Sequence, residues 1–455
     1  MGLSASIDSA RPRRKVAIIG AGASGLAALH QAIEHGLDPT VFETRDRTGG
    51  AWILTDPGEC VVEFDNLKVA RLRNPDENDH AHVAPTPMYP SLKTNVPTPL
   101  MEYRGQPFDR QIGLFPSPKS VLEYLDQTAA GVEQRIRLRT RVTRLRHTLP
   151  RDKGEQRRWT VETATVSRQT NFATNQFDYV VIANGHYSQP FVPRIEGLDT
   201  WTRQLTHARW YRNPEQFRGK TVLVVGSGPS GYDATRELAE QIYEQRQRDS
   251  SVVLPRLYQS LRSPSKMGIA FDDPSAPAWA QQVIVKPTIT KVDETCVTFA
   301  DGTIADDIDV IDAPWNSAPL VHPPSPTKPI TGLRVHNLDK RDLFYAPDPT
   351  CAFMCIQYLV LPFPLAQIQA RTASKFWSGK VNLLVEAKES TDEEQESRES
   401  LVYGHPMQYD KHDEWLQEIG EGKFGQSDEM WKETPQTIRD LRLGAKSLRR
   451  SVLGY

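Results

Sequence analysis

Hydrophobic positions form two matching patterns along the chain, about two hundred residues apart. In the first, Lys15-Val-Ala-Ile-Ile19 is an apolar run of strand length that ends in Gly20-Ala-Gly22-Ala-Ser24-Gly25. The spacing then becomes helical, with Leu26, Leu29, Ile33 and Leu37 on one face and Gly36 as the stop. Pro39-Thr-Val-Phe-Glu43 reads as the next strand, closed by an acid. In the second pattern, Thr221-Val-Leu-Val-Val225 is the strand and Gly226-Ser-Gly228-Pro-Ser230-Gly231 the turn. Ala234, Leu238 and Ile242 mark the helix, and Leu257-Tyr-Gln-Ser260 the strand after it. Phe177 to Gly185 reads as a strand running into a glycine turn, Ala300-Asp-Gly-Thr303 as a hairpin turn and Asp309-Val-Ile311 as a short strand. A Pro-rich, aromatic stretch from Pro85 to Pro118 separates the two patterns. Strands alternating with helices predict an α/β fold of two dinucleotide-binding, Rossmann-like domains with parallel sheets.

Composition narrows the function. The 455 residues suffice for several cores. A net charge of −2 gives no global attraction to nucleic acid or an anionic membrane, so neither is an expected partner. Hydrophobic residues are 38%, and no apolar run reaches the length of a membrane span. Cys351 to Ala366, the most apolar stretch, is interrupted by Gln357, Pro362 and Pro364. Four cysteines make no disulfide framework, and the Cys351–Cys355 spacing suits neither a redox Cys-x-x-Cys pair nor a zinc knuckle. They read as reduced thiols, which places the protein in the cytoplasm. The eleven histidines show no metal-ligand spacing, and no metal is expected. The polar, basic leader is not a secretory signal; its Gly2 fits the loose myristoylation pattern, with a disordered leader as the plainer reading. The acidic run from Ser390 to Ser400 reads as a solvated loop.

The glycine turns carry the chemistry. Gly20 allows the tight turn off the strand, Gly22 lets a pyrophosphate approach the backbone, and Gly25 lets the helix pack on the strand. Free N–H groups and the positive end of the helix dipole meet the phosphates there. Glu43 lies about 20 residues further on, where an acid binds a ribose hydroxyl, so an adenosine without a 2′-phosphate suits this turn. The second turn is followed by no such acid. Ser260 and Arg262 stand there instead, a hydroxyl and a guanidinium suited to a 2′-phosphate. Two such sites in one chain imply hydride passed from a nicotinamide to a flavin.

Further segments resemble the flavin-containing monooxygenases, of the fungal and plant type. Thr48-Gly49-Gly50-Ala-Trp52 is similar to that family's Gly-Gly-x-Trp flavin segment. Tyr89-Pro-Ser-Leu92-Lys-Thr94-Asn95-Val-Pro97 resembles its Tyr-x-x-Leu-x-Thr-Asn-x-Pro segment, extended by Pro107-Phe108. Ala183-Asn-Gly185-His186-Tyr187 resembles its first interdomain crossover, and Pro362-Phe-Pro364 with Gln369 its later flavin segment. The family's Phe-x-Gly-x-x-x-His-x-x-x-Tyr/Phe pattern appears as Trp201-x-Arg203-x-x-x-His207-x-x-x-Tyr211, with a bulky arginine replacing the permissive glycine. Its Ala-Thr-Gly-Tyr crossover is reduced to Ala313-Pro-Trp315-Asn316. Baeyer–Villiger relatives carry Trp four residues after the histidine; here that position is Tyr211, which favours heteroatom oxygenation.

The resemblance implies an FAD domain in two segments, 1–215 and 325–455, with an NADPH domain, 216–324, inserted between them. It implies that Gly20, Gly22, Ser24, Gly25, Glu43, Gly50, Trp52, Thr94, Asn95 and Gln369 face FAD. Gly226, Gly228, Ser230, Gly231, Ser260 and Arg262 would face NADPH. Asn95 would lie over the flavin ring, its amide steadying a flavin hydroperoxide, with His207 and Tyr211 organising the loop between the domains. The implied reaction is NADPH- and O2-dependent oxygenation of a soft nitrogen or sulfur atom of a small molecule. An NADPH oxidase that releases hydrogen peroxide, a Baeyer–Villiger oxygenation and a flavin-binding interaction protein without turnover are the alternatives. A homodimer is the expected form if the chain self-associates.

Overall fold

The computed structural model describes residues 13–75, 82–148, 158–167, 170–185, 190, 192–251, 253–263, 267–312, 335, 337–388, 402–422 and 429–455. The leader with Gly2, His186 and Tyr187, Ala313 to Asn316, the boundary expected at 324 and the acidic run lie outside them. In chain order the framing elements are β1 (Lys15–Ile19), α1 (Ala23–Glu34), β2 (Asp38–Phe42), α2 (Pro118–Ala129), β3 (Ile136–Arg137) and β4 (Tyr179–Ile182). There follow β5 (Gln204–Thr206), β6 (Val222–Val225), α3 (Pro229–Arg248), β7 (Leu257–Ser260), β8 (Val283–Lys286) and β9 (Val310–Asp312). The chain continues through β10 (Cys351–Phe353), α4 (Pro362–Trp377), α5 (Met407–Glu418) and α6 (Gln436–Leu453).

Two five-stranded sheets organise the molecule. The first has the order β10-β4-β1-β2-β3 and the second β5-β9-β6-β7-β8, and every pairing in both is parallel. Successive side chains of a strand point to opposite faces, so each sheet needs two covers. Val16, Ile18, Val41 and Val181 pack with α1 and α4, whereas Ala17, Phe42, Val180 and Ile182 pack beneath a three-stranded antiparallel sheet. That sheet is built from Thr140–Thr148, Arg158–Thr165 and Phe172–Phe177. The second sheet repeats the design. Val222, Val224, Leu257 and Val310 meet α3, and Leu223, Val225, Tyr258 and Ile311 meet an antiparallel sheet of Ile289–Val292, Val297–Phe299 and Ile304–Ala305. The Rossmann-type α/β architecture expected from the hydrophobic pattern is therefore present twice.

Two local details differ from the pattern. Leu26, Leu29 and Leu37 are buried, but Ile33 is 38% exposed. Helix α1 instead buries Ala27, Ala28 and Ala32, whose small side chains let α4 lie close alongside. Strand β5 lies ahead of the boundary expected at residue 216, yet Gln204–Thr206 pairs in register with Val310–Asp312. The chain thus enters the second sheet before that residue, as its edge strand. Among the described residues, no helix is long and apolar enough to cross a membrane.

A buried cation ties α4 to α1 and to the segment after α5. Arg371 is 8% exposed, donates to Glu421 at 2.6–2.9 Å and to Glu34 at 2.6 Å, and stacks on the Trp431 ring at 3.9 Å. Arg371→Met keeps the stem but leaves Glu421 with Lys375 as its remaining cation. It should lower unfolding free energy by about 3 kcal/mol, measured as a lower urea midpoint at unchanged slope.

Candidate functional site

The first glycine turn is built by backbone contact. Gly20 has φ +105°, and a Cβ there would sit 2.6 Å from the Ala183 carbonyl oxygen. A Cβ on Gly25 would sit 1.8 Å from Gly20 O, which is why the helix can close on the strand end only with glycine. Gly50 (φ +56°) meets Gly22 so closely that its Cβ would lie 2.8 Å from the Gly22 Cα, and Gly49 N–H donates to Ala21 O at 3.0 Å. The Gly-Gly-x-Trp segment is thereby laid against the turn. Helix α1 starts with no side-chain cap and no acid in its first turn, leaving N–H groups for an anion. Glu43, 6% exposed at the end of β2, is held by Ala21 N–H and Arg45 N–H, each at 2.8 Å. Trp52 stands edge-on to Phe363 at 6.4 Å. A bare helix start, a cradle that a Cβ would fill and an acid at the strand end fit a dinucleotide such as FAD. Gly20, Gly22, Ser24, Gly25, Glu43, Gly50 and Trp52 are the residues that would hold it.

Gln369 supports this turn from behind. It is fully buried, accepts from Cys355 N–H at 2.9 Å and donates to Gln357 at 3.3 Å. Cys355, at φ +52°, in turn meets the Ser24 hydroxyl in the first turn of α1. The amide of Gln369 is thus engaged with the protein and braces a left-handed backbone position.

The second turn is more open. Gly226 has φ +125° and donates its N–H to Ser260 O at 2.8 Å, while a Cβ on Gly228 would meet nothing within 4 Å. Helix α3 begins at Pro229, again with no side-chain cap or first-turn acid. Gly228 is exposed, Ser230 half-buried and Gly231 buried. Ser260 and Arg262 do not act as a pair. The Ser260 hydroxyl is buried and donates to Pro287 O at 2.8 Å, whereas Arg262 is exposed just beyond the strand. A 2′-phosphate would find the guanidinium rather than the hydroxyl.

The segment that carries Asn95 connects the two turns. Towards the first, Tyr103 Oη donates to Ala23 O at 2.6 Å, at the opening of α1. Towards the second, Tyr89 Oη donates to Asp233 at 2.6 Å and Ser91 Oγ to Glu237 at 2.6 Å, both on α3. Thr94 is buried and its hydroxyl donates to Val96 O at 2.9 Å, while Asn95 faces solvent. Tyr211 is buried and donates to the other Glu237 oxygen at 2.6 Å, its ring edge-on to Tyr89 at 5.5 Å. His207 is buried and its Nδ1 accepts from Arg209 N–H at 3.0 Å. His207 and Tyr211 therefore fasten the loop after β5, Tyr211 by bonding it to α3. Arg203 lies on the outer side of that loop, donating to Ile308 O at 2.6 Å and Asp306 O at 3.0 Å. Its φ is not positive, so glycine's freedom is not required there.

Sequence reasoning missed the acids that receive these bonds. Asp233 and Glu237 stand one helical turn apart on the buried side of α3, a spacing visible in the sequence. Burial raises both carboxyl pKa values, against the lowering effect of the tyrosine, serine and arginine partners. It also missed Arg212, which donates to Thr55 O, Thr86 O and Arg209 O, each at 2.9 Å, and whose pKa burial lowers to about 10. Asp312, at the end of β9 where open α/β sheets bind ligands, is fully buried with neither oxygen hydrogen-bonded. Burial pushes its carboxyl up to about 7.

Two dinucleotide cradles, an acid closing the second strand of the first and a guanidinium beside the second, define a flavoprotein oxidoreductase supplied by a nicotinamide. Comparison with known proteins carries this further. The family described as flavin-binding monooxygenase-like matches residues 13–62 and 76–269, and the chain belongs to it. FAD and NADPH are accordingly its cofactors. The flavin-containing monooxygenase FMO GS-OX-like 2 of Arabidopsis thaliana is 28% identical over 428 residues, covering 89% of this chain and 84% of the plant protein. The thiol-specific monooxygenase of Saccharomyces cerevisiae is 28% identical over 383 residues, 79% of this chain and 76% of the yeast protein. Among solved structures, S-allyl-L-cysteine S-oxygenase from Allium sativum shares the fold at a TM-score of 0.74 and 23% identity, over 97% of this chain and 93% of that one.

Two outcomes test the geometry. Gly25→Ala should yield protein without flavin, read as lost visible absorbance per protein, because the new methyl meets Gly20 O. Gly36→Ala, with φ +79° and nothing within 4 Å of its Cβ, should cost about 1 kcal/mol and keep its flavin. The second outcome concerns Asp312, whose pKa rises from 3.8 to about 7 on folding. The native state keeps a proton that the unfolded chain loses, so this group costs stability as pH rises from about 4 to about 7 and the full cost persists above. Asp312→Asn should raise the Tm most near pH 8, with the gain shrinking towards about pH 5.

Proposed function

We propose that this chain is an NADPH- and O2-dependent monooxygenase that oxygenates a soft nucleophilic sulfur or nitrogen atom of a small molecule. The carrying observation is the segment 89–103, bonded at one end to the helix opening at the first glycine turn and at the other to the helix from the second. Asn95 lies within that segment and is exposed. Flavin reduced by hydride from NADPH supplies the oxygen chemistry when bound. The chain's part is placement. The starts of α1 and α3 bind phosphates, and Glu43 takes a ribose hydroxyl. Arg262 meets the 2′-phosphate, and Gln369 holds the Cys355 turn against Ser24. Asn95 offers a donor and an acceptor together, so its one side chain would hydrogen-bond the bound flavin in both senses. Tyr89, Tyr211 and Ser91 hold that amide's segment on α3. The yeast relative named a thiol-specific monooxygenase favours sulfur as the atom oxygenated.

Domain limits follow the same reading: 1–215 and 325–455 serve flavin and 216–324 serves NADPH, with strand β5 passed forward to the second sheet. The competing reading is an oxidase that releases all its reducing equivalents as peroxide.

The deciding measurement is oxygenated product and hydrogen peroxide formed per NADPH consumed, across small thiols, sulfides and amines. Product approaching one per NADPH with one of these classes supports the proposal; peroxide alone with all of them supports the oxidase. Asn95→Ala should keep its flavin and its anaerobic reduction by NADPH, while peroxide per NADPH rises about threefold or more. Unchanged coupling in that variant removes the role given to Asn95.

A further inference from the structure

Helix α6 lies across both halves of the site. Its Ile438, Leu441 and Ala445 pack with Val96 and Leu100, on the side of the Asn95 segment. Its far end reaches the second domain, where Arg450 donates to Gly268 O at 2.6 Å. Between these points stands Arg449, only 2% exposed. Its Nε donates to the Thr94 carbonyl at 3.3 Å, and its guanidinium lies 3.7 Å from Asp233 on α3. The Tyr455 ring meets two cations, with the Arg449 guanidinium 5.2 Å and that of Arg236 4.1 Å from its centroid. Arg449 Nη1 is buried with no hydrogen-bond partner, so Nε and Nη2 carry the polar contacts that hold this guanidinium.

The atom it holds gives it meaning. The Thr94 carbonyl belongs to the same rigid peptide unit as the Asn95 nitrogen. Fixing that oxygen fixes the plane from which the Asn95 side chain departs. Thr94 N–H donates to Pro116 O and its hydroxyl to Val96 O, so the peptide is held on both sides of the chain. Asp233, the acid at the other end of the guanidinium, also receives Tyr89 from the start of the same segment. We propose that Arg449 is a positioning residue: it orients the Thr94–Asn95 peptide and ties it to the helix that opens at the NADPH turn. The inference rests on the role given above to Asn95. It adds that this role depends on a side chain some 350 residues later in the chain.

A lysine can keep the charge near Asp233, but its single nitrogen cannot also reach Thr94 O in the geometry of a planar fork. Arg449→Lys should therefore loosen the peptide without removing the ion pair. Three readouts apply. In the flavin-free protein, deuterium uptake over residues 93–101 should quicken, while the first strand and α1 exchange as before. In the flavin-loaded protein, peroxide per NADPH should rise about threefold, because small misplacements near the reacting atoms have large effects on partitioning. The anaerobic rate of flavin reduction should stay within about twofold, since hydride transfer precedes the step at which Asn95 acts.

The route through Asn95 is tested by combining the two substitutions. In an Asn95→Ala background, Arg449→Lys should add no further peroxide, because the amide it orients is gone. An equal fold increase in both backgrounds overturns the proposal, as does unchanged coupling with unchanged exchange in Arg449→Lys. If Asn95→Ala uncouples and Arg449→Lys does not, the role of Asn95 stands and that of Arg449 falls. If Asn95→Ala leaves coupling unchanged, both fall. Should Arg449→Lys fail to fold, Tyr455→Ala, which removes the ring packed on the Arg449 and Arg236 guanidiniums, carries the same expectations at smaller size.

Discussion

Close backbone packing at the first glycine turn is the constraint on which the rest of the structure depends. Gly25 lies on the Gly20 carbonyl, Gly50 on the Gly22 Cα, and Gly20 against Ala183. Each of these approaches is closed to any side chain. They bring three distant segments to one point: the end of β1, the Gly-Gly-x-Trp segment and the chain leaving β4. A helix start without a side-chain cap then faces outward among them, with Glu43 at the neighbouring strand end. The uncapped helix start is therefore set by the same contacts that close the fold.

A second constraint is electrostatic. Asp233 and Glu237 are buried on α3, and burial disfavours their charged forms. Tyrosine hydroxyls, a serine hydroxyl and two arginines surround them. Nearly all of these partners come from outside the helix: from 89–91, from 211 and from α6. The need to satisfy two buried acids thus recruits the segments that run between the nucleotide turns. A cluster of this kind is costly if broken, since the acids would remain buried without partners. That cost keeps the segment of Asn95 in register with α3.

Much of this was legible in the chain because it is local. Short apolar runs of strand length gave β1, β2, β6 and β7, and the change to helical spacing gave α1 and α3. Gly20, Gly22 and Gly25 could be assigned physical tasks from spacing alone, and Glu43 followed from its distance to them. Ile33 misled, because α1 packs with small alanines against α4 and leaves that larger side chain at the rim. The Ser260 hydroxyl suits a 2′-phosphate by type, but burial within a parallel sheet turns it to Pro287 O instead. Arg203, which replaces an expected glycine, stays on the surface and bonds backbone carbonyls.

By itself the sequence determined the repeated strand–turn–helix units and the two glycine turns that open their helices, because each is written in residues a few positions apart. Tertiary structure alone decided what holds Asn95, that Tyr211 binds Glu237 rather than a reacting group, and that Arg449 reaches Thr94. Hydrogen bonds between residues 26, 144 or 355 positions apart leave no periodicity and no spacing rule behind. They exist only once the sheets have been covered and the remaining buried charges must find partners.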